Sequence, residues 1–222
     1  MAEQDVSRRK FLVSAAVGAG AVAGAGLSEV AAGTPPQQAE AGTAVRHLPP
    51  GEGHGVFFNH DDAATVAAFA ERLMPGAPGK PGALDAGVLN YIDLALAGAY
   101  SDLQDFYRRG LAQLDHHCRE KYHESFARLS AAQQDEVITA LEEGKAAGFA
   151  WPSSREFFNT VREHTIEGMF ADPVYGGNKD FSGWKLVGFP GAQPIFTTAD
   201  MQSKQEFTRL PIVGLQARGE EG

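Results

Sequence analysis

"SSREFFNTVREHTIEGMF", residues 153–170, decides how the rest of the chain is read. Ser153 followed by Glu156 is a capping box: each side chain satisfies the other residue's backbone N–H at the start of a helix. Behind it, Phe157, Phe158, Val161, Ile166 and Met169 supply one apolar helical face. Just upstream, "SAAQQDEVITALEEG" (130–144) repeats the device. Ser130 with Gln133 opens that helix, and Gly144 stops it.

The same pattern runs back toward the N-terminus. "YSDLQDFYRRGLAQLDHHCREKYHESF" (100–126) is the longest helix candidate, with Ser101 or Asp102 as cap. Leu103, Phe106, Tyr107, Leu111, Leu114 and Cys118 form its apolar stripe. In "ALDAGVLNYIDLALAG" (83–98), Val88, Tyr91, Ile92 and Leu96 share a face that ends at Gly98. "DDAATVAAFAERLMP" (61–75) takes Asp61 or Asp62 as cap and Pro75 as stop, and "GAPGKPG" (76–82) is a tight connector. Residues 59–170 thus predict five helices, enough for one small helical core, with no repeat and no convincing sheet.

Downstream the character changes. "DPVYGGNKDFSGWKLVGFPG" (172–191) holds five glycines, two prolines and four aromatics, and follows neither the helical nor the strand period. Residues 171–222 lack any sustained period, yet they are rich in Phe, Tyr, Trp, Ile and Val, which disordered tails lack. Such a segment must bury its apolar groups on its own helices or on another chain. The expected fold is mainly α: a small bundle of about five helices with a long irregular C-terminal segment wrapping the core or a partner.

Composition excludes several functions. Nineteen basic against 28 acidic residues give a formal net charge of −9. No basic run follows position 10, so no stripe exists to displace phosphate counterions, and nucleic acid is not an expected partner. The single Cys118 makes no internal disulfide, cysteine zinc site or iron–sulfur cluster, and no haem-attachment motif occurs. "YGGNKDFSG" lacks phosphate-loop spacing. "GAGAVAGAG" (18–26) mimics a dinucleotide fingerprint without a preceding strand.

Adjacent His116 and His117 point about 100° apart on a helix, and His123 lies nearly two turns on; all three read as exposed helix histidines. Cys118, on the apolar stripe, reads as a buried, inert thiol. His164, Glu167 and Asp172 could form an acid–base cluster, but a helix-end histidine bonded to loop backbone accounts for them without catalysis. The residues therefore predict no catalytic, cofactor-binding or metal site in this chain.

"SRRKFLVSAAVGAGAVAGAGLSEVAAG" (7–33) resembles a twin-arginine export signal, carried by Arg8, Arg9, Phe11 and Leu12. The following apolar run, 13–27, is too short and glycine-diluted for a membrane span of about 20 residues. Small residues suit cleavage after Ala32, or as late as Ala41. The expected organisation is a signal at 1–32, a Pro/Gly-rich linker at 33–58, a helical domain at 59–191 and an extended tail at 192–222. The resemblance implies a periplasmic destination by a route that moves folded proteins.

"HTIEGMFADPVYGGNKDFSGWKLVGFPG" (164–191) closely resembles the signature of the gluconate 2-dehydrogenase subunit 3 family. "AERLMPGAPGKPGALDAGVLNYIDLALAG" (70–98), "YRRGLAQLD" (107–115) and "LSAAQQDEVITALE" (129–142) resemble its earlier helices. The resemblance implies a non-catalytic small subunit of a periplasmic sugar, sugar-acid or glycoside dehydrogenase. Its partner would be a GMC-type large subunit holding FAD, with a haem-bearing cytochrome c often taking the electrons. The small chain would help that subunit mature and lend it the export signal, so membrane attachment would be indirect, through the complex. Tyr175, Gly176, Gly177, Asn178, Phe181, Trp184 and Phe189 are the expected partner interface, with an intrachain clamp beside one as the alternative: glycines allow close approach and aromatics anchor. Two other readings stay open: a free periplasmic enzyme using the region 164–172, and a stand-alone binding or chaperone module.

Overall fold

The computed structural model describes residues 55–192, 195–205 and 211–215. The export signal with Arg8, Arg9, Phe11 and Leu12, and all but the last residues of the stretch read as linker, lie outside the described residues. Seven helices and no named strand occur among the described residues. The first five are α1 (His60–Leu73), α2 (Val88–Ala97), α3 (Gln104–Tyr122), α4 (Ala131–Glu142) and α5 (Ser154–Phe170). Two short ones follow, α6 (Ser182–Val187) and α7 (Thr198–Gln202).

α5 is the hub and packs against α1, α2, α3 and α4. Its inner face carries Phe157 and Phe158, whose rings lie 6.3 and 6.4 Å from Phe69 of α1. Phe126 closes on Phe69 at 5.5 Å. All four are buried, each worth about 1.5–3 kcal/mol of transfer free energy. Both capping boxes form as their sequences predict, Ser130 with Gln133 and Ser153 with Glu156. Gly144 takes φ 72 just past the end of α4.

Three local expectations need correcting. α1 is capped by Asn59, not by Asp61 or Asp62: the Asn59 side chain accepts from Asp62 N at 2.9 Å and donates to the Asp62 carboxylate at 2.6 Å. The two aspartates occupy the first turn, where the helix dipole favours negative charge. Neither Ser101 nor Asp102 caps α3; both sit in a 3-10 turn (Ser101–Leu103) that feeds into it. Ile166 is exposed, because His164, Thr165 and Gly168 complete the row begun by Phe157 and Val161.

The last residues of the linker stretch are docked on the bundle. Asp93, buried in α2, accepts the backbone N–H groups of Val56 (3.0 Å), Phe57 (2.9 Å) and Phe58 (2.8 Å). Phe58 is buried against Tyr107, and the Arg108 guanidinium covers the Phe57 ring. Replacing Asp93 with alanine should leave the two less exposed donors without partners. The expected cost is about 2–4 kcal/mol of stability. Faster proteolysis just before Asn59, with a matching fall in melting temperature, is the measurement; unchanged protease resistance would show that the aromatic contacts alone hold the segment.

Candidate functional site

Residues 172–191 form a clamp over the C-terminal end of α5. A helix ends with carbonyls that have no partner within the helix. Here the loop supplies donors: Asn178 N to Gly168 O at 2.7 Å, Trp184 Nε1 to Phe170 O at 2.6 Å, and Asn178 Nδ2 to Ala171 O at 2.8 Å. The Asn178 side-chain oxygen accepts from Gly183 N at 2.9 Å and Trp184 N at 3.4 Å, so one wholly buried amide joins both halves of the loop. Two further bonds tie the clamp to the start of α2, Lys179 N to Ala86 O (3.0 Å) and Asn90 Nδ2 to Gly176 O (2.8 Å).

Such an approach needs glycine. A Cβ on Gly177 would drive into the Gly168 carbonyl, and one on Gly183 into the Met169 carbonyl. The backbone also takes left-handed φ at three non-glycine residues, Asn178 (45°), Asp180 (55°) and Phe181 (56°). Sparsely populated conformations of this kind persist only where surrounding contacts over-determine them.

The clamp therefore sorts the residues expected to face a partner. Gly177, Asn178 and Trp184 turn inward and brace α5, as the clamp alternative has it. Gly176 packs close to Leu94 and Asn90 of α2. Phe181, half-buried, stacks on Trp184 at 5.4 Å, and Phe189 meets Trp184 edge-on at 4.9 Å. Tyr175 at 57% and Phe189 at 45% are the exposed aromatics, with Val174 and Val187 beside them in sequence. The clamp is thus a braced platform with an aromatic outer surface.

His164 and Glu167 meet a different set of residues. The His164 ring lies parallel to Tyr100 and Tyr107, at 4.7 and 5.7 Å. Tyr107, its phenol pushed far up by burial, keeps its proton, and its hydroxyl is hydrogen-bonded to His164 Nδ1 at 2.9 Å. Burial holds His164 below its ordinary value, against the upward pull of Glu167 and Glu163. Glu167 accepts from Tyr91 (2.9 Å) and Tyr100 (3.3 Å); burial, then the Glu167 carboxylate, pushes Tyr91 well above the usual phenol range. The histidine is bonded to a tyrosine hydroxyl, not to loop backbone as the sequence had implied. Asp172 is used elsewhere: its carboxylate accepts from Val174 N at 3.0 Å and Leu215 N at 2.8 Å. The three residues do not come together as an acid–base cluster. Tyr91 and Tyr107 read only as apolar-stripe residues; the missed signal is that a buried phenol needs a polar partner, and His164 and Glu167 sit one turn apart to supply it.

The other titratable candidates are separated. His116 is exposed and pairs with Glu120 at 3.3 Å. His117, expected outside, is buried with Nδ1 on Ala147 O at 3.1 Å. Cys118 is buried, and burial pushes its thiol up to about 12, far from a reactive thiolate. Among the described residues no group of three His, Cys, Asp or Glu gathers that could hold a metal ion, and no helix is long and apolar enough to cross a membrane.

The family model described as gluconate 2-dehydrogenase subunit 3 matches residues 60–191, well over half of the chain. The chain belongs to the gluconate 2-dehydrogenase subunit 3 family. It is therefore kin to an accessory subunit of a dehydrogenase complex. The subunit 3 match begins at the first residue of α1 and ends at Gly191, the last residue of the clamp. Comparison with curated proteins and with solved structures gave no match.

Proposed function

We propose that this chain is the non-catalytic small subunit of a periplasmic dehydrogenase acting on sugars, sugar acids or glycosides. It assists maturation of a flavin-bearing, GMC-type large subunit and carries it through twin-arginine export. FAD resides in that large subunit, and haem in a cytochrome c that receives its electrons. Membrane association runs through the complex. The observation carrying this reading is the clamp: the family's signature stretch is spent on bracing α5 and on holding Tyr175 and Phe189 outward. Rigid exposed aromatics are the usual anchors of protein interfaces.

The rival reading, a free enzyme working through His164, Glu167 and Asp172, finds little support. Each of these groups is occupied by a structural partner, and Asp172 does not join the other two. The stand-alone module differs from the accessory subunit only in having no flavoprotein partner.

Purification separates the readings. The chain expressed alone should show no flavin absorbance and no sugar oxidation. Co-expressed with the large subunit of its source organism, it should draw a yellow, active flavoprotein through a tag on the small chain. Stoichiometric flavin or sugar oxidation in the isolated chain would sink the proposal.

A further inference from the structure

Four elements meet around His164. It projects from α5, the hub of the bundle, and is buried. Its ring is stacked on Tyr100, just before the 3-10 turn, and on Tyr107 of α3, within 11° of parallel in both cases. The Tyr107 hydroxyl is wholly buried, and His164 Nδ1 is its one hydrogen-bond partner among the described residues. From α2, Tyr91 joins through Glu167, which lies one turn after His164 and also accepts from Tyr100. With the exposed Glu163, these are the titratable and charged groups set around the imidazole. Acidic groups of the other packed helices are engaged elsewhere. Glu71 of α1 accepts from Gly76 N and Leu84 N, and Asp93 of α2 holds the amides of 56–58. Asp135 and Glu136 of α4 pair with Arg72 and Lys121.

A buried phenol proton needs an acceptor. With one partner within reach, the arrangement that satisfies it is a neutral imidazole whose Nδ1 carries a lone pair. An imidazolium bears a proton on both nitrogens and accepts nothing. Protonating His164 would therefore set two protons face to face in a buried space and strand one of them. Burial opposes the charged ring. Glu167 and Glu163 favour it less strongly, since Glu167 is already shared by two phenols and Glu163 is exposed.

We propose that Tyr107 donates to Nδ1 of a neutral His164 and that the pair is an acid-sensitive latch, holding α3 against α5 at neutral pH and releasing it when the imidazole takes a proton. The latch is a property of this chain alone and does not depend on a flavoprotein partner. In the unfolded chain His164 takes its proton below about 6.5, whereas burial keeps the folded ring neutral to lower pH. The contribution of the latch is complete above that value and is lost as pH falls from it toward the folded value. Within this window unfolding takes up one extra proton, so the folding equilibrium constant falls by up to about tenfold per pH unit.

The test is urea unfolding of the full chain at a series of pH values from about 7.5 to about 5. His164→Gln keeps an acceptor for Tyr107 but takes no proton. The unmodified chain should lose stability more steeply than this variant, the difference in slope approaching one proton, or about tenfold per pH unit. Equal slopes would overturn the latch. NMR of the unmodified chain decides the matter even if the variant does not fold. The His164 nitrogen signals should show an unprotonated Nδ1 in the neutral ring, with titration starting below the ordinary histidine value and the Tyr107 ring signals moving in step. A proton on Nδ1 of the neutral ring, or titration at the ordinary value, would overturn the proposal. Tyr107→Phe removes the proton that Nδ1 must accept, so it should shift the His164 titration upward. An unmoved titration would assign the effect to burial alone and overturn the latch.

Discussion

Replacing Arg8 and Arg9 with lysine is expected to strand two proteins in the cytoplasm, not one. Lysine keeps the charge but loses the planar guanidinium, so a recognition site that reads the pair as arginines is disabled while the charge balance of the chain is unchanged. Along the chain the folded domain begins well after the substitutions, with Val56, Phe57 and Phe58 fixed on Asp93, so its packing should not respond. The large subunit should still bind its flavin and the small subunit. Dehydrogenase activity should therefore persist in the cytoplasmic fraction and fall to background in the periplasmic fraction. Fractionated activity, with immunoblots of both chains, is the measurement. Normal delivery of the large subunit to the periplasm, with the small subunit held back, would refute shared export. The small chain would then be a separately exported assembly factor.

Trp184→Ala and Tyr175→Ala should fail in opposite ways. Trp184 is buried, contacts Phe181 and Phe189, and donates to the Phe170 carbonyl at the end of α5. Its truncation removes packing and leaves a helix-end carbonyl without its donor, at a cost of about 3–5 kcal/mol. For a domain of this size the melting temperature should drop by about 10 °C or more. Tyr175 is exposed on the platform, so its removal should change free-subunit stability by under about 0.5 kcal/mol. It should instead cost about 2 kcal/mol in binding the large subunit, roughly a thirtyfold rise in Kd. Thermal melts of the free subunit beside titrations of the complex separate the two effects. Equal loss of stability in both variants would mean that Tyr175 belongs to the core. The same geometry argues against deleting everything from Asp172 onward to separate export from docking. Such a truncation would strip the donors from Gly168, Phe170 and Ala171 and unfold the end of α5.

The amino-acid sequence by itself determined the five helices of the bundle, both capping boxes, the left-handed stop at Gly144 and the apolar faces that meet around Phe69. These features depend on residues three or four positions apart, and that spacing is visible in one dimension. It also marked 172–191 as a built segment, through aromatic and β-branched residues that a disordered tail would not carry. Only the tertiary structure decided which of those residues face inward. Asn178 and Trp184 are buried because helix-end carbonyls of α5 need donors, and no local period says which side chain will supply them. The left-handed backbone of Asp180 and Phe181 is likewise imposed by contacts, not by propensity. The bonds from Phe58 to Asp93, from Tyr91 to Glu167 and from Leu215 to Asp172 span 35, 76 and 43 residues. Pairings over such distances appear only when the helices have packed, because their geometry is set by where α5 lies against α2 and α3 and not by any neighbour in the chain.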